Sequence, residues 1–409
     1  TTGWSVLDLH ASPSLSGDKQ SYAVGFLEGS LTHTRIAQHI GNLWGVDFHG
    51  AKIGSMPAGA YDFLTKNLRW MREQVQMHRS DPYWQMVGFL LMQLRGLKDG
   101  YNNARDRGEP EFTELDVFLP TLLDADMDDL MTAVVEHGDF VNEHYRGKPW
   151  GRKGRPKRHG HCSALIQCAP DNADIWAAHA TWDEYRAMIR MIKYVDMPLP
   201  ATRVRRMVFS ANPGSLYSGD DFYILDNGLV VLATTIENYN RSLWKDVKPE
   251  SILTWGRAMV ANRLALTGAE WTELQIRHNS GTVNNQWMVV DYNLFRPGQR
   301  PPPGTLWISE TMPGHAVRAD VTGTLWRQGS WPSYNQPFFA EIQDVGGYRL
   351  MQAKFPKKAA AYNFTQDVRA LMFARARAEG EVTSLASFMR LMRYNKPSDP
   401  LAMGDACNG

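Results

Sequence analysis

The sequence predicts an α+β sandwich, and three observations carry that expectation. The first third carries apolar residues at helical intervals, the region after Cys162 turns to short alternating or continuously apolar runs, and strands and helices then mix without regular alternation. A doubly wound sheet would need that alternation. The 409 residues, 43% hydrophobic and 21% charged, suit one large layered domain or two fused ones.

In chain order, Trp4 to Leu9 is mostly apolar, is closed by the turn Pro13 to Gly17, and predicts a strand. Asp18 stands where a helix cap belongs, ahead of Ala23, Phe26, Leu27, Leu31, Ile36 and Ile40. Further helical patterns begin at Met56 and at Asp81-Pro82, and Asp126 to His144 carries Leu130, Met131, Val134 and Val135 on one side. Arg146 to Arg158 holds seven basic residues among glycines and prolines with no apolar period, which predicts a solvated linker. From Cys162, residues Ala164, Ile166 and Cys168 alternate with Ser163, Leu165 and Gln167, and Pro170-Asp171-Asn172 turns the chain into Asp174 to Ala180, a hairpin. Thr181 to Tyr194 reads as an amphipathic helix. Phe222 to Leu225 and Leu229 to Ala233 read as strands joined at Asp226-Asn227-Gly228, followed by a helix from about Trp255 to Leu266 and a strand from Trp287 to Tyr292. Pro301-Pro302-Pro303-Gly304 marks a loop, and the tail after Asn395 reads as irregular structure.

A formal net charge of +1 gives no reason to expect a nucleic-acid partner. Apolar stretches such as Met86 to Met92 fall far short of the roughly 20 residues of a membrane span. A soluble chain is the expectation. Thr1 is not an initiator Met and the first residues lack signal-peptide features, as expected where a targeting segment has been removed. Of three cysteines at least one is unpaired, while Cys168 and Cys407 are available to pair in an oxidising compartment. Asn240-Arg241-Ser242 and Asn363-Phe364-Thr365 are glycosylation patterns, with meaning in a eukaryotic secretory pathway.

The sequence holds no G-x-S-x-G elbow, H-E-x-x-H, paired C-x-x-C or glycine-rich phosphate loop, which weighs against serine-lipase and zinc-hydrolase chemistry. Cys162 stands out by position, where the basic linker gives way to the hairpin. A thiol with a reference pKa of about 8.5 needs a base, and an α-amino group near 8 can serve if the cysteine begins its own chain. That chemistry requires a cut between His161 and Cys162. The bland alternative is a small buried hydrophobe at a strand start.

His161-Cys162-Ser163-Ala164-Leu165-Ile166, followed by Ala178-His179-Ala180-Thr181-Trp182, resembles the start of the catalytic chain in phospholipase B-like proteins. Asn212-Pro213-Gly214, Asp220 to Leu225, Asn279 to Thr282, Asn284-Asn285-Gln286-Trp287 and Gly329 to Asn335 follow in the family order, and weaker similarity runs from Gly3 to Cys407. The resemblance implies an N-terminal-nucleophile hydrolase with a four-layer αββα sandwich, similar in design to bile-salt hydrolases and penicillin V acylases, made as a precursor that cuts itself. It implies a helical piece 1–145 that contributes a strand, a linker 146–161 cut on maturation, and a catalytic piece 162–409 within one structural domain. Arg155-Pro156-Lys157-Arg158 also resembles a site for dibasic-cutting proteases.

Cys162 matches the family nucleophile. His179 and Trp182 match positions where bile-salt hydrolases carry an Arg and an Asp; His179 and Thr181 are expected within reach of the thiol and Trp182 beside an acyl pocket. A hydrogen-bonded core histidine is the plainer reading of His179. Asn284 or Asn285 is a candidate oxyanion donor or an ordinary turn pair. Arg318 lies near where the class keeps an arginine, though a surface role fits it better. The expected substrate is a fatty-acyl ester or amide such as a phospholipid, with no cofactor or metal, transient contact with a lipid surface, the cleaved N-terminal fragment as partner, and a secreted or lysosomal, glycosylated protein. The competing expectation is a lipid-binding or interaction glycoprotein with little turnover; a serine lipase would survive loss of Cys162.

Overall fold

The computed structural model describes residues 4–47, 58–137, 162–183, 185–396 and 398–401. The linker, His161 and Cys407 lie outside the described residues. Among the described residues eleven strands form two sheets: β1 (Ser5–His10), β2 (Cys162–Cys168), β3 (Ile175–Thr181), β4 (Met191–Asp196), β5 (Arg206–Ala211), β6 (Phe222–Leu225), β7 (Leu229–Thr235), β8 (Asn285–Asp291), β9 (Leu306–Met312), β10 (His315–Asp320) and β11 (Ser330–Ser333). The larger sheet runs β1-β4-β5-β6-β7-β8-β9-β10 and the smaller β11-β2-β3. Among the described strands of the larger sheet only the β1–β4 pair is parallel, so that sheet is mixed and the class α+β.

The helices are α1 (Gly17–Asp47), α2 (Ala58–Met77), α3 (Pro82–Ala104), α4 (Leu119–Asp124), α5 (Met127–His137), α6 (Thr254–Leu264), α7 (Gly268–Ile276), α8 (Thr322–Gln328), α9 (Ala340–Val345), α10 (Tyr348–Lys354), α11 (Val368–Ala378) and α12 (Leu385–Met392). None of those described is long and apolar enough to cross a membrane. Asp81 caps α3 by accepting from the Tyr83 amide at 2.9 Å, with Pro82 in the first helical position.

Alternation along β7 and β8 divides the core. Val231, Ala233, Trp287 and Val289 face a cluster with Val24, Leu90, Leu94, Leu97 and Met259 of α1, α3 and α6. Leu232, Met288 and Val290 face the smaller sheet, meeting Ala164, Ile166, Ile175 and Trp331. On the other side of that sheet α12 lays Phe388 against Trp176, with ring centroids 5.8 Å apart.

Where the sequence predicts one helix from Thr181 to Tyr194, the structure has the end of β3, a single turn at Tyr185–Ala187, and then β4 in the large sheet. The reason is Lys193, whose charge interrupts the apolar alternation although its side chain points inward and is 1% exposed. Its Nζ lies 2.5 Å from Glu28 Oε1 of α1 and 2.5 Å from the Ser215 carbonyl, a buried ion pair that ties helix to sheet. Strands β5, β9, β10 and β11 also have no counterpart in the sequence expectations, whereas the hairpins β2–β3 and β6–β7 stand as expected.

Candidate active site

Cys162 is the first residue of β2 and is 4% exposed. Its amide donates to Asn335 Oδ1 at 3.2 Å and its carbonyl accepts from Arg369 Nη1 at 2.5 Å. Arg369 also donates to Asn335 Oδ1 at 2.8 Å and to the Tyr334 carbonyl, while its guanidinium lies over the Trp182 ring, 5.7 Å from the centroid. Both flanks of the Cys162 backbone are therefore held by side chains. Asn335 follows β11 with φ of 67°, a left-handed conformation that asparagine tolerates, and its Nδ2 donates to the Thr235 carbonyl at 2.8 Å. Asn335 thereby joins β11 to β7.

The thiol meets a carboxylate. Cys162 Sγ donates to Asp221 Oδ2 at 3.7 Å, and Asp221 Oδ1 accepts from Tyr217 Oη at 2.9 Å. Asp221 precedes β6 at φ of 55°, and its carbonyl accepts from the Ala233 amide at 3.0 Å, which fixes the turn against β7. Burial pushes its carboxyl up to about 8 despite the Tyr217 bond, with the charge of Asp220 adding to the rise. Burial, and then the negative field of Asp221, push the thiol well above its ordinary value; the Thr181 hydroxyl, Arg369 and the Thr235 amide act the other way. In the continuous chain Cys162 is thus a protonated thiol.

His179 sits opposite Ala164 on β3. Its Nε2 lies 2.7 Å from the Ala233 carbonyl and so carries the proton, leaving Nδ1 to accept from Thr181 Oγ1 at 3.0 Å. Burial pushes its pKa down to about 4, which keeps the ring neutral at physiological pH. One donor atom each of Cys162, His179 and Asp221 lies within 4.8 Å of the others.

Of the residues expected at the site, the structure brings Cys162, His179 and Thr181 together and places Trp182, 47% exposed, at the rim under Arg369. Asn284 Nδ2 donates to the Gly281 carbonyl at 2.9 Å, a turn bond. Asn285 opens β8 opposite Thr235, on the face of Trp287 and Val289, with its buried amide unbonded at both ends. Arg318 joins β10 to α7 through Glu273 and the Ala269 carbonyl, both at 3.1 Å, as a surface role requires. Asn240 Nδ2 donates to the Val345 carbonyl at 2.9 Å, and Asn363 Oδ1 accepts from the Thr365 amide and hydroxyl, both at 2.9 Å. Cys168 is a buried free thiol.

Sequence reasoning missed Asp221, Asn335 and Arg369. The first two stand inside motifs that carried the resemblance; Arg369, 207 residues from Cys162, has no local signal.

The family model for phospholipase B matches residues 1–409. Phospholipase B-like protein C of Dictyostelium discoideum is 34% identical over 99% of this chain and 71% of its own length. Putative phospholipase B-like 2 of Mus musculus is 37% identical over the whole chain and 68% of its own, and phospholipase B of Crotalus adamanteus 36% identical over the whole chain and 73% of its own. Matched from end to end by the family model and by relatives above 30% identity, the chain belongs to the phospholipase B family.

Proposed function

We propose that this protein is a self-processing acyl hydrolase of the N-terminal-nucleophile type, with Cys162 as nucleophile and fatty-acyl lipids as substrates. The observation that carries the reading is the grip on Cys162: Asn335 holds its nitrogen, Arg369 its carbonyl, and Asp221 its thiol. A small buried hydrophobe would need none of these. The two facing sheets with helices on their outer sides support an αββα sandwich of that class, and the names of the relatives support a lipid substrate.

In the processing step Asp221, in its ionised form, takes the thiol proton, Sγ attacks the His161 carbonyl, and Asp221 passes that proton to the amide nitrogen, which leaves as the Cys162 amine and gives a thioester that water opens. Asn335 then accepts from that amine and aims its lone pair at Sγ. In turnover the amine takes the thiol proton, Sγ adds to the acyl carbonyl, and the amine returns the proton to the departing alcohol or amine. Water, deprotonated by the same amine, releases the acid and restores the thiol. Asn285, with its free amide, suits the oxyanion role better than Asn284, whose Nδ2 is engaged. His179, with both nitrogens committed, positions Thr181 against the sulfur. The same reading places the protein in a secretory or lysosomal lumen, with glycans at Asn363 and Asn240.

N-terminal sequencing of purified protein, with hydrolysis of phospholipids and N-acyl amides assayed on the same sample, tests the proposal. Wild type yields a fragment starting at Cys162 and Cys162→Ala stays one inactive chain. An active fragment starting elsewhere, or an active Cys162→Ala, overturns it.

A further inference from the structure

The thiol, imidazole and carboxylate at this site are also a ligand set. We propose that Cys162, His179 and Asp221 bind a thiophilic divalent cation, zinc above all, and that occupation of this site reversibly silences the nucleophile. Among the described residues this is the one group of three such side chains with donor atoms within 4.8 Å of each other. Zinc takes sulfur at about 2.3 Å and nitrogen or oxygen at about 2.0 Å, so a tetrahedral site needs ligand separations of roughly 3.3–3.5 Å. Cys162 Sγ and Asp221 Oδ2 already stand 3.7 Å apart. The other separations are no more than 4.8 Å, so side-chain shifts of about 1.5 Å at most close the rest.

The surroundings fit a metal as well as the three donors do. His179 gives its Nε2 proton to the Ala233 carbonyl, the outer bond that commonly fixes a metal-binding imidazole, and presents Nδ1 inward. Tyr217 donates to Asp221 Oδ1, which orients the carboxylate and leaves Oδ2 turned to the sulfur. A thiolate and a carboxylate cancel a double positive charge, so the loaded site is neutral in a place where unpaired charge is costly. Magnesium and calcium prefer all-oxygen shells and suit this set poorly. β3 is the edge strand of the smaller sheet, and His179 and Thr181 on it are half-buried.

On binding, the thiol proton and the carboxyl proton pass to solvent, Thr181 gives up its bond to Nδ1, and three metal–ligand bonds form with no electron transferred. The sulfur lone pair that would attack a peptide or acyl carbonyl is then committed to the metal. The site is made of described residues and stands whether or not the hydrolase reading holds, because its test reads binding and not turnover.

Chelator-treated full-length protein is titrated with cobalt chloride, and alkylation of Cys162 by iodoacetamide is followed by peptide mass spectrometry with zinc or magnesium chloride present. One equivalent of cobalt should raise a near-ultraviolet thiolate-to-cobalt band that zinc abolishes. Zinc should slow Cys162 alkylation about ten-fold or more, leave Cys168 unchanged, and lose its effect in His179→Gln and Asp221→Asn. The wild-type comparison of zinc with magnesium decides even if a variant fails to fold. No cobalt band, equal alkylation with zinc and magnesium, or full protection in folded forms of both variants overturns the site.

Discussion

Asp221 couples chemistry to stability through a single proton. A free aspartate ionises near 3.9, whereas burial lifts this one to about 8. Between those values the folded chain holds a proton that the unfolded chain has lost. The stabilising effect is therefore full below pH 4 and is lost as the pH rises toward 8. Asp221→Asn keeps an acceptor for Tyr217 and removes this titration, so thermal melts of the variant should lose less stability than wild type from pH 5 to pH 8; parallel curves would exclude Asp221 as the source. The same variant should remain uncut, since the acceptor of the thiol proton is gone. Arg369→Lys tests the other side of Cys162: a lysine lacks the planar fork that serves the Cys162, Asn335 and Tyr334 oxygens together. Processing should slow at least about ten-fold, equivalent to 1.4 kcal/mol, with little change in melting temperature. At this scale the sequence revealed the residues that belong to long motifs, Cys162 and His179 directly and Asp221 and Asn335 as unassigned members. Arg369 reaches the site only through tertiary packing of α11.

At the scale of elements, α1 and α3 are packed backbone to backbone. A Cβ on Gly25 would fall 1.9 Å from the Gln93 carbonyl oxygen, and one on Gly96 2.0 Å from that of Tyr22. Gly25→Ala must push the helices apart and should cost about 1–3 kcal/mol in denaturant melts, the range for overpacking; an unchanged midpoint would mean that the helices are free to separate. The bond between α1 and β4 is electrostatic. Lys193→Met leaves Glu28 buried without its cation and should cost about 3–5 kcal/mol, while Lys193→Met with Glu28→Gln should recover most of it. Failure of the double variant to recover would point to the Ser215 and Gly214 bonds instead. This pair also explains an error of reading. Periodicity exposes apolar faces, so β6, β7 and β8 were legible, while β4 carries a charge inward and looked helical because its partner lies 165 residues away.

Across the whole molecule, one strand unites regions on either side of the linker. β1 lies in the first ten residues and pairs in parallel with β4 over six positions, from Ser5 with Met191 to His10 with Asp196. A break between His161 and Cys162 leaves this ladder and the α1–β4 ion pair intact. Cleaved protein should elute and melt as one unit, its fragments parting only in denaturant; separation in native buffer would contradict the shared sheet. Bulk charge and composition were silent on this arrangement, because strand pairing across 186 residues leaves no local pattern.

Timing follows from the reach of Arg369. A ribosome makes Cys162 long before it makes the residue that grips the Cys162 carbonyl, 207 positions later. On the proposed mechanism a nascent chain carries a thiol that is not yet aimed, and the cut waits until α11 has been synthesised and has docked. Chains truncated before Arg369 should accumulate uncut, so self-cleavage would mark chains that have been made past α11 and have folded it into place.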